Sequence, residues 1–166
     1  MCIKFKKLIL DRIFVVSRQP VLFRDLLEAN SLYNEGMLID CANLNFRFDT
    51  LKTYGIYTVI CTIMLFVSLL ITHSFLAKID SHISIIGTMV ITSLIFLGFD
   101  MFKIWARKEK SAELIKQAWT VHFPFFAYEK YSKKVDEIYT KAIKDGITKS
   151  DLERHVLEKL VLERSQ

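Results

Sequence analysis

The sequence predicts an all-α integral membrane protein: a two-helix transmembrane hairpin carrying cytoplasmic helical N- and C-terminal segments. Three observations predict it. Charged residues make up 25% of the chain, yet no Asp, Glu, Lys or Arg falls in residues 55–77 or 81–99. The connection between these two runs, Lys78-Ile79-Asp80-Ser81, allows only an immediate antiparallel return. Lys and Arg gather on the other side of both runs, at Arg47, Lys52, Lys103, Arg107, Lys108 and Lys110, against Lys78 alone in the turn.

Residues 1–54 read as an N-terminal cytoplasmic amphipathic segment. Phe5, Ile9, Ile13 and Val16 share a helical face, with Lys6, Arg12 and Arg18 elsewhere, a pattern that suits a helix lying in the membrane surface. Residues 13–16 equally suit the start of a short strand. Asp11 and Arg12 interrupt the apolar run that a signal peptide needs. Cys2 beside lysines suits acylation in a eukaryote, but the bland reading of Cys2, Cys41 and Cys61 is three free thiols in a reducing compartment, since no C-x-x-C pair occurs. Pro20 suits the first turn of a second helix, along which Phe23, Leu26, Leu27, Asn30 and Tyr33 form a stripe ended by Gly36. Residues 37–54 then lead into the bilayer, with Phe46, Phe48 and Tyr54 expected near the interface.

The hairpin occupies residues 55–105. Its first span, 55–77, is about 35 Å long as a helix, enough to cross a hydrocarbon core of about 30 Å with a modest tilt. The second, 82–105, matches it if its last turn lies among head groups. A lone pair of strands would expose backbone groups to lipid, and a soluble helical pair would need more surrounding protein than this chain supplies. The basic flanks place both termini in the cytoplasm and the hairpin in the cytoplasmic (inner) membrane. The net charge of +5 then reflects topology and attraction to anionic lipid, and no nucleic acid is expected.

Residues 106–166 form the C-terminal cytoplasmic helical region. Nothing stops the second span from continuing past Trp105, with Leu114, Ile115, Ala118 and Trp119 along one face, until Pro124 breaks it. Trp119, Phe123, Phe125, Phe126, Tyr128 and Tyr131 crowd around that proline. They suit either a partner site or a small core where three helices meet, and the core reading is preferred. Tyr128, Tyr131, Val135, Ile138 and Ala142 continue as a seam for another helix, within or beyond this chain. Asp145-Gly146 supplies a turn, and Ser150 with Glu153 forms a capping box for a last helix faced by Leu152, Val156, Leu160 and Val161.

Catalytic patterns are missing from the sequence. Five dispersed glycines make no phosphate loop or dinucleotide fingerprint, and the four histidines include no H-E-x-x-H. No histidine has Glu three residues before it, and no G-x-S-x-G elbow occurs. A calcium loop around Asp145-Gly146 would need ligands where Lys141 and Leu152 stand. No enzymatic activity, cofactor or metal is expected.

The polar residues of the hairpin are more informative. In an antiparallel pair Thr58 meets Gly98, Thr62 lies near Ser93, Ser68 meets Thr88, and Thr72 falls opposite Ser84. Small residues and hydroxyls let helices approach closely in lipid, so this stripe reads first as hairpin packing. The sharper reading is a pore in an assembly of hairpins, lined by Ser84, Thr88 and Thr92. Asp100 is the one acidic residue adjoining the spans on the basic side. Pairing with Lys103 or Lys52, or hydration, is its ordinary role, and an ion-attracting ring its functional one. His73, about one turn from the outer interface, is expected to be hydrated.

The order of a cytosolic helix, two spans, a long continuing helix and a closing helical pair carries a resemblance. So do the charged stretch Arg107-Lys-Glu-Lys-Ser-Ala-Glu-Leu-Ile-Lys116 and the capped helix from Ser150. Over roughly residues 25–163 this layout resembles the SLATT (SMODS and SLOG-associating two-transmembrane) proteins of prokaryotic defence systems. The segment before Pro20 and the aromatic cluster at 119–131 depart from that pattern. The resemblance implies a membrane-perturbing effector. The residues themselves point first to a non-enzymatic anchoring or adaptor subunit whose cytoplasmic helices dock onto a larger membrane assembly. Self-association into a pore or permeabilising effector is the alternative.

Overall fold

The computed structural model describes the backbone of residues 2–76, 81–148 and 150–164, and the side chains of residues 4–70, 86–148 and 150–162. Among them are six α-helices and two three-residue strands. The chain divides into two compact units: residues 1–15 with 48–106, and residues 16–47 with 107–166. The units therefore do not follow sequence order.

In the first unit, α1 (Cys2–Ile13) packs on α3 (Thr50–Leu76), burying Ile9, Leu10 and Ile13. The helical face anticipated from Phe5, Ile9 and Ile13 is thus partly covered by protein. Phe14 begins β1 (Phe14–Val16) and meets Phe48, the last residue of β2 (Phe46–Phe48), with ring centroids 4.4 Å apart. The two strands pair antiparallel, since Asp49 N–H donates to Ile13 O at 2.8 Å and Ser17 N–H to Asn45 O at 2.8 Å. This ribbon was expected only as the alternative at residues 13–16, and its second strand not at all.

α3 and α4 (Ser81–His122) are the two helices long and apolar enough, by length and composition, to cross a membrane. Their apolar windows have mean hydropathies of 1.9 and 1.6, and only 6% of each is buried within the protein. Val59, Ile63, Phe66, Leu70, Met89, Leu94, Phe96 and Met101 are all exposed. Residues 77–80, which hold most of the expected turn, lie outside the described residues, as do the side chains of Thr72, His73 and Ser84. α4 continues without a break past Trp105 to His122, as the uninterrupted helical pattern implies.

The second unit has its own core. α2 (Phe23–Asn34) packs against α5 (Tyr128–Lys144) and α6 (Leu152–Arg164), and α5 against α6. The stripe Phe23, Leu26, Leu27 and Asn30 is buried, and burial of each leucine contributes roughly 1.5–3 kcal/mol. Leu114, Ile115, Ala118 and Trp119 of α4 are buried as well, along the face the sequence marks. α2 starts at Phe23, three residues after Pro20, and ends at Gly36, whose φ of +77° permits the closing bond from Met37 N–H to Leu32 O. Gly146, with φ of +69°, closes α5 the same way through Ile147 N–H to Ala142 O.

Two local expectations change. The capping box is replaced: the last helix begins at Leu152, and the Ser150 hydroxyl meets Thr148 Oγ1 at 2.9 Å. Thr148 Oγ1 also donates to Asp151 Oδ2 at 2.6 Å, so a tight turn before Leu152 competes with the box. Phe46 is buried in the ribbon, away from the interfacial role expected of it. Before it, a 3-10 turn at Cys41–Leu44 is capped by Asp40 and closed by Asn45 at φ 54°. The Asn45 amide donates to Gln19 O and Pro20 O, which ties the turn to the segment entering α2.

Candidate functional site

Between α3 and α4 the described contacts are aromatic. Tyr57 Oη donates to Ile95 O at 2.7 Å. The hydroxyl sits over Gly98, where an added Cβ would lie 2.6 Å from it. Glycine at 98 therefore makes room for a tyrosine, where the sequence pointed to Thr58 as its neighbour. Tyr54 stacks on Phe99 at 4.6 Å, and Tyr57 makes edge and tilted contacts with Phe99 and Phe102. The signal for this cluster was an aromatic-rich pair of segments, Tyr54–Tyr57 and Phe99–Phe102, around a lone mid-helix glycine.

The hydroxyls anticipated as interhelical bonds behave differently. Thr62 donates to Thr58 O, Thr92 to Thr88 O, and Ser93 to Met89 O, each at 2.8–2.9 Å along its own helix. Ser68 donates likewise to Met64 O. Such back-bonding satisfies a hydroxyl without a partner helix or a water-filled lumen. Thr58, Thr62, Ser68, Thr88, Thr92 and Ser93 are all exposed on the helix surfaces. Asp100 pairs with Lys103 at 2.8 Å, and the Lys103 ammonium also lies 4.8 Å from the Phe99 ring centroid. Lys52 is taken up by Asp49 at 2.8 Å.

The aromatic cluster belongs to the second unit. Trp119 and Phe123 are buried, their rings 4.4 Å apart, and Phe23 of α2 meets Phe123 at 5.2 Å. Trp119 Nε1–H donates to Phe126 O at 2.6 Å, so the indole is buried with its polar atom satisfied. Tyr128 stands edge-on to Trp119, and Tyr131 edge-on to buried Phe126. His122 Nε2 lies 2.8 Å from Val21 O, which only a protonated Nε2 can bond. Along the seam, Val135 and Ala142 are fully buried, while Tyr131 and Ile138 are half-buried. Most of the proposed docking residues thus pack against this chain's own helices.

What remains outward is Phe125, 80% exposed. A cavity of about 590 Å³ opens between Phe125, Pro124, Trp119 and Tyr128. Lys116 and Glu129 pair at its rim at 3.0 Å. The hydrogen bond from Lys116 holds the Glu129 carboxyl below its usual range, while burial, aided by Tyr33 and Glu129, pushes the Tyr128 phenol up to about 12. Burial also raises the Cys41 thiol despite nearby Arg107, leaving less thiolate for reaction.

No family model, curated protein or solved structure matches this chain. Among the described residues, no group of three or more His, Cys, Asp or Glu side chains is placed to hold a metal ion.

Proposed function

We propose that this chain is a membrane-anchored adaptor: α3 and α4 cross the cytoplasmic membrane as a hairpin, and the second unit docks a larger assembly. The observation that carries the reading is the pairing of two long apolar helices, 6% buried, with a separate helical unit that has a full core of its own. Apolar surface on that scale needs a nonaqueous neighbour, and lipid is the one that matches its length. The basic flanks support cytoplasmic termini. Exposed Phe125 and the cavity beside it are where a partner side chain would insert, because aromatic anchors in pockets carry most interface energy.

Gentle detergent extraction followed by mass measurement of the native particle tests the reading. A hetero-complex that Phe125→Glu dissolves is the expected result; a homo-oligomer would overturn it. The layout's resemblance to SLATT proteins favours the second reading, a self-assembled pore. Rapid, specific ion flux through liposomes holding the purified protein would establish that alternative over the adaptor.

A further inference from the structure

An apolar groove of about 300 Å³ runs between α1 and α3 in the first unit. Phe5, Leu8, Val59 and Ile63 line it, each 58–61% exposed, and Arg12 supplies its charged group. Among the described residues, Arg12 has no hydrogen bond or ion pair. Its helix carries Lys4, Lys6, Lys7 and Arg12 against one acid, Asp11. The bond from Asp49 N–H to Ile13 O holds the arginine end of α1 at the start of α3, five residues before the uncharged run begins at Gly55. The groove then follows α3 from Gly55 to Ile63, into that run.

We propose that this groove seats one acyl chain of an anionic phospholipid, with the phosphate on Arg12. The proposal rests on the bilayer reading above. A free guanidinium at one end and a carbon-lined channel at the other match a phosphodiester joined to a hydrocarbon tail. A partner's apolar helix would fill the channel but would leave Arg12 without an anion. Gly55 lines the groove, and a methyl group added there meets nothing within 4 Å. Gly55→Leu therefore puts a larger apolar side chain into the groove from a position with room for its Cβ, and leucine favours the helix.

The test uses the full chain in mild detergent, titrated with phosphatidylglycerol or phosphatidylcholine of identical chains, with bound lipid counted by native mass spectrometry. One phosphatidylglycerol per chain is expected, held about fivefold better than phosphatidylcholine, the ratio one basic group near an anionic surface supplies. Arg12→Gln should reduce it to the phosphatidylcholine level, Arg12→Lys should keep most of it, and Gly55→Leu should remove it with helix content unchanged. Equal retention of both lipids, or retention indifferent to Arg12→Gln, overturns the site. Flotation with phosphatidylcholine vesicles separates the two ideas. If wild type and Arg12→Gln both float while lipid preference is missing, the lipid site alone is wrong; if wild type does not float, the bilayer reading fails.

Discussion

Tyr57 and Gly98 show how much one missing side chain decides. The hydrogen bond from Tyr57 to Ile95 O is of the interhelical kind worth roughly 0.6–2 kcal/mol in a membrane protein. Tyr57→Phe should lower stability in detergent by that amount. Gly98→Ala gains up to about 1 kcal/mol of helix propensity but displaces the hydroxyl, so it should be near neutral or destabilising in the wild type. In the Tyr57→Phe background the same change should stabilise, because the ring carbon would lie 3.8 Å from the new methyl. Denaturant titration of the four proteins measures this coupling. Ser111, 1% exposed with its hydroxyl unpartnered among the described residues, is a second case. Ser111→Ala should be neutral or raise stability by up to about 1 kcal/mol, read as a higher Tm, because it removes an unsatisfied buried group. Tyr128 supplies the pH dependence. A phenol with its folded pKa raised to about 12 favours folding fully below its unfolded value near 10, and that contribution is lost as pH rises from 10 to 12. Alkaline unfolding monitored by circular dichroism should therefore be shallower in Tyr128→Phe.

At the scale of elements, the helices were legible, and the short strands and the turn before α6 were not. Uncharged runs and unbroken three-four spacing mark α3, α4 and α5 because their stabilising contacts repeat locally. The β1–β2 ribbon depends on Phe14 finding Phe48, far away in sequence, and no local period encodes that meeting. The start of α6 was misplaced because Thr148 and Ser150 close a turn before the expected cap can form. The seam from Tyr128 to Ala142 was readable as a buried face, but periodicity does not say what buries it; α2 and α6 do so within this chain. Hence the substitutions sort by exposure. Trp119→Ala should cost about 3–5 kcal/mol and melt the second unit, since a fully packed indole leaves a large cavity. Phe125→Glu should leave its thermal unfolding unchanged while abolishing partner capture, which calorimetry and co-extraction measure side by side.

For the whole molecule, charge distribution gives the topology argument its strength. In the proposed topology the uncharged runs lie in lipid, the basic flanks set their direction, and the short connection makes them a hairpin. Back-bonded hydroxyls and the Asp100–Lys103 pair fit such a span without a water-filled lumen. The proposed partner surface was less legible, because an outward Phe125 and inward Trp119 and Phe123 look alike in an aromatic-rich stretch. The most direct measurement is thiol labelling with a membrane-impermeant maleimide, in a chain whose Cys2, Cys41 and Cys61 are replaced by serine. Arg18→Cys and Glu158→Cys should react only in inverted vesicles, and Lys78→Cys only in intact cells. Labelling of either terminal reporter from outside intact cells, or of all three from one side, would contradict the hairpin.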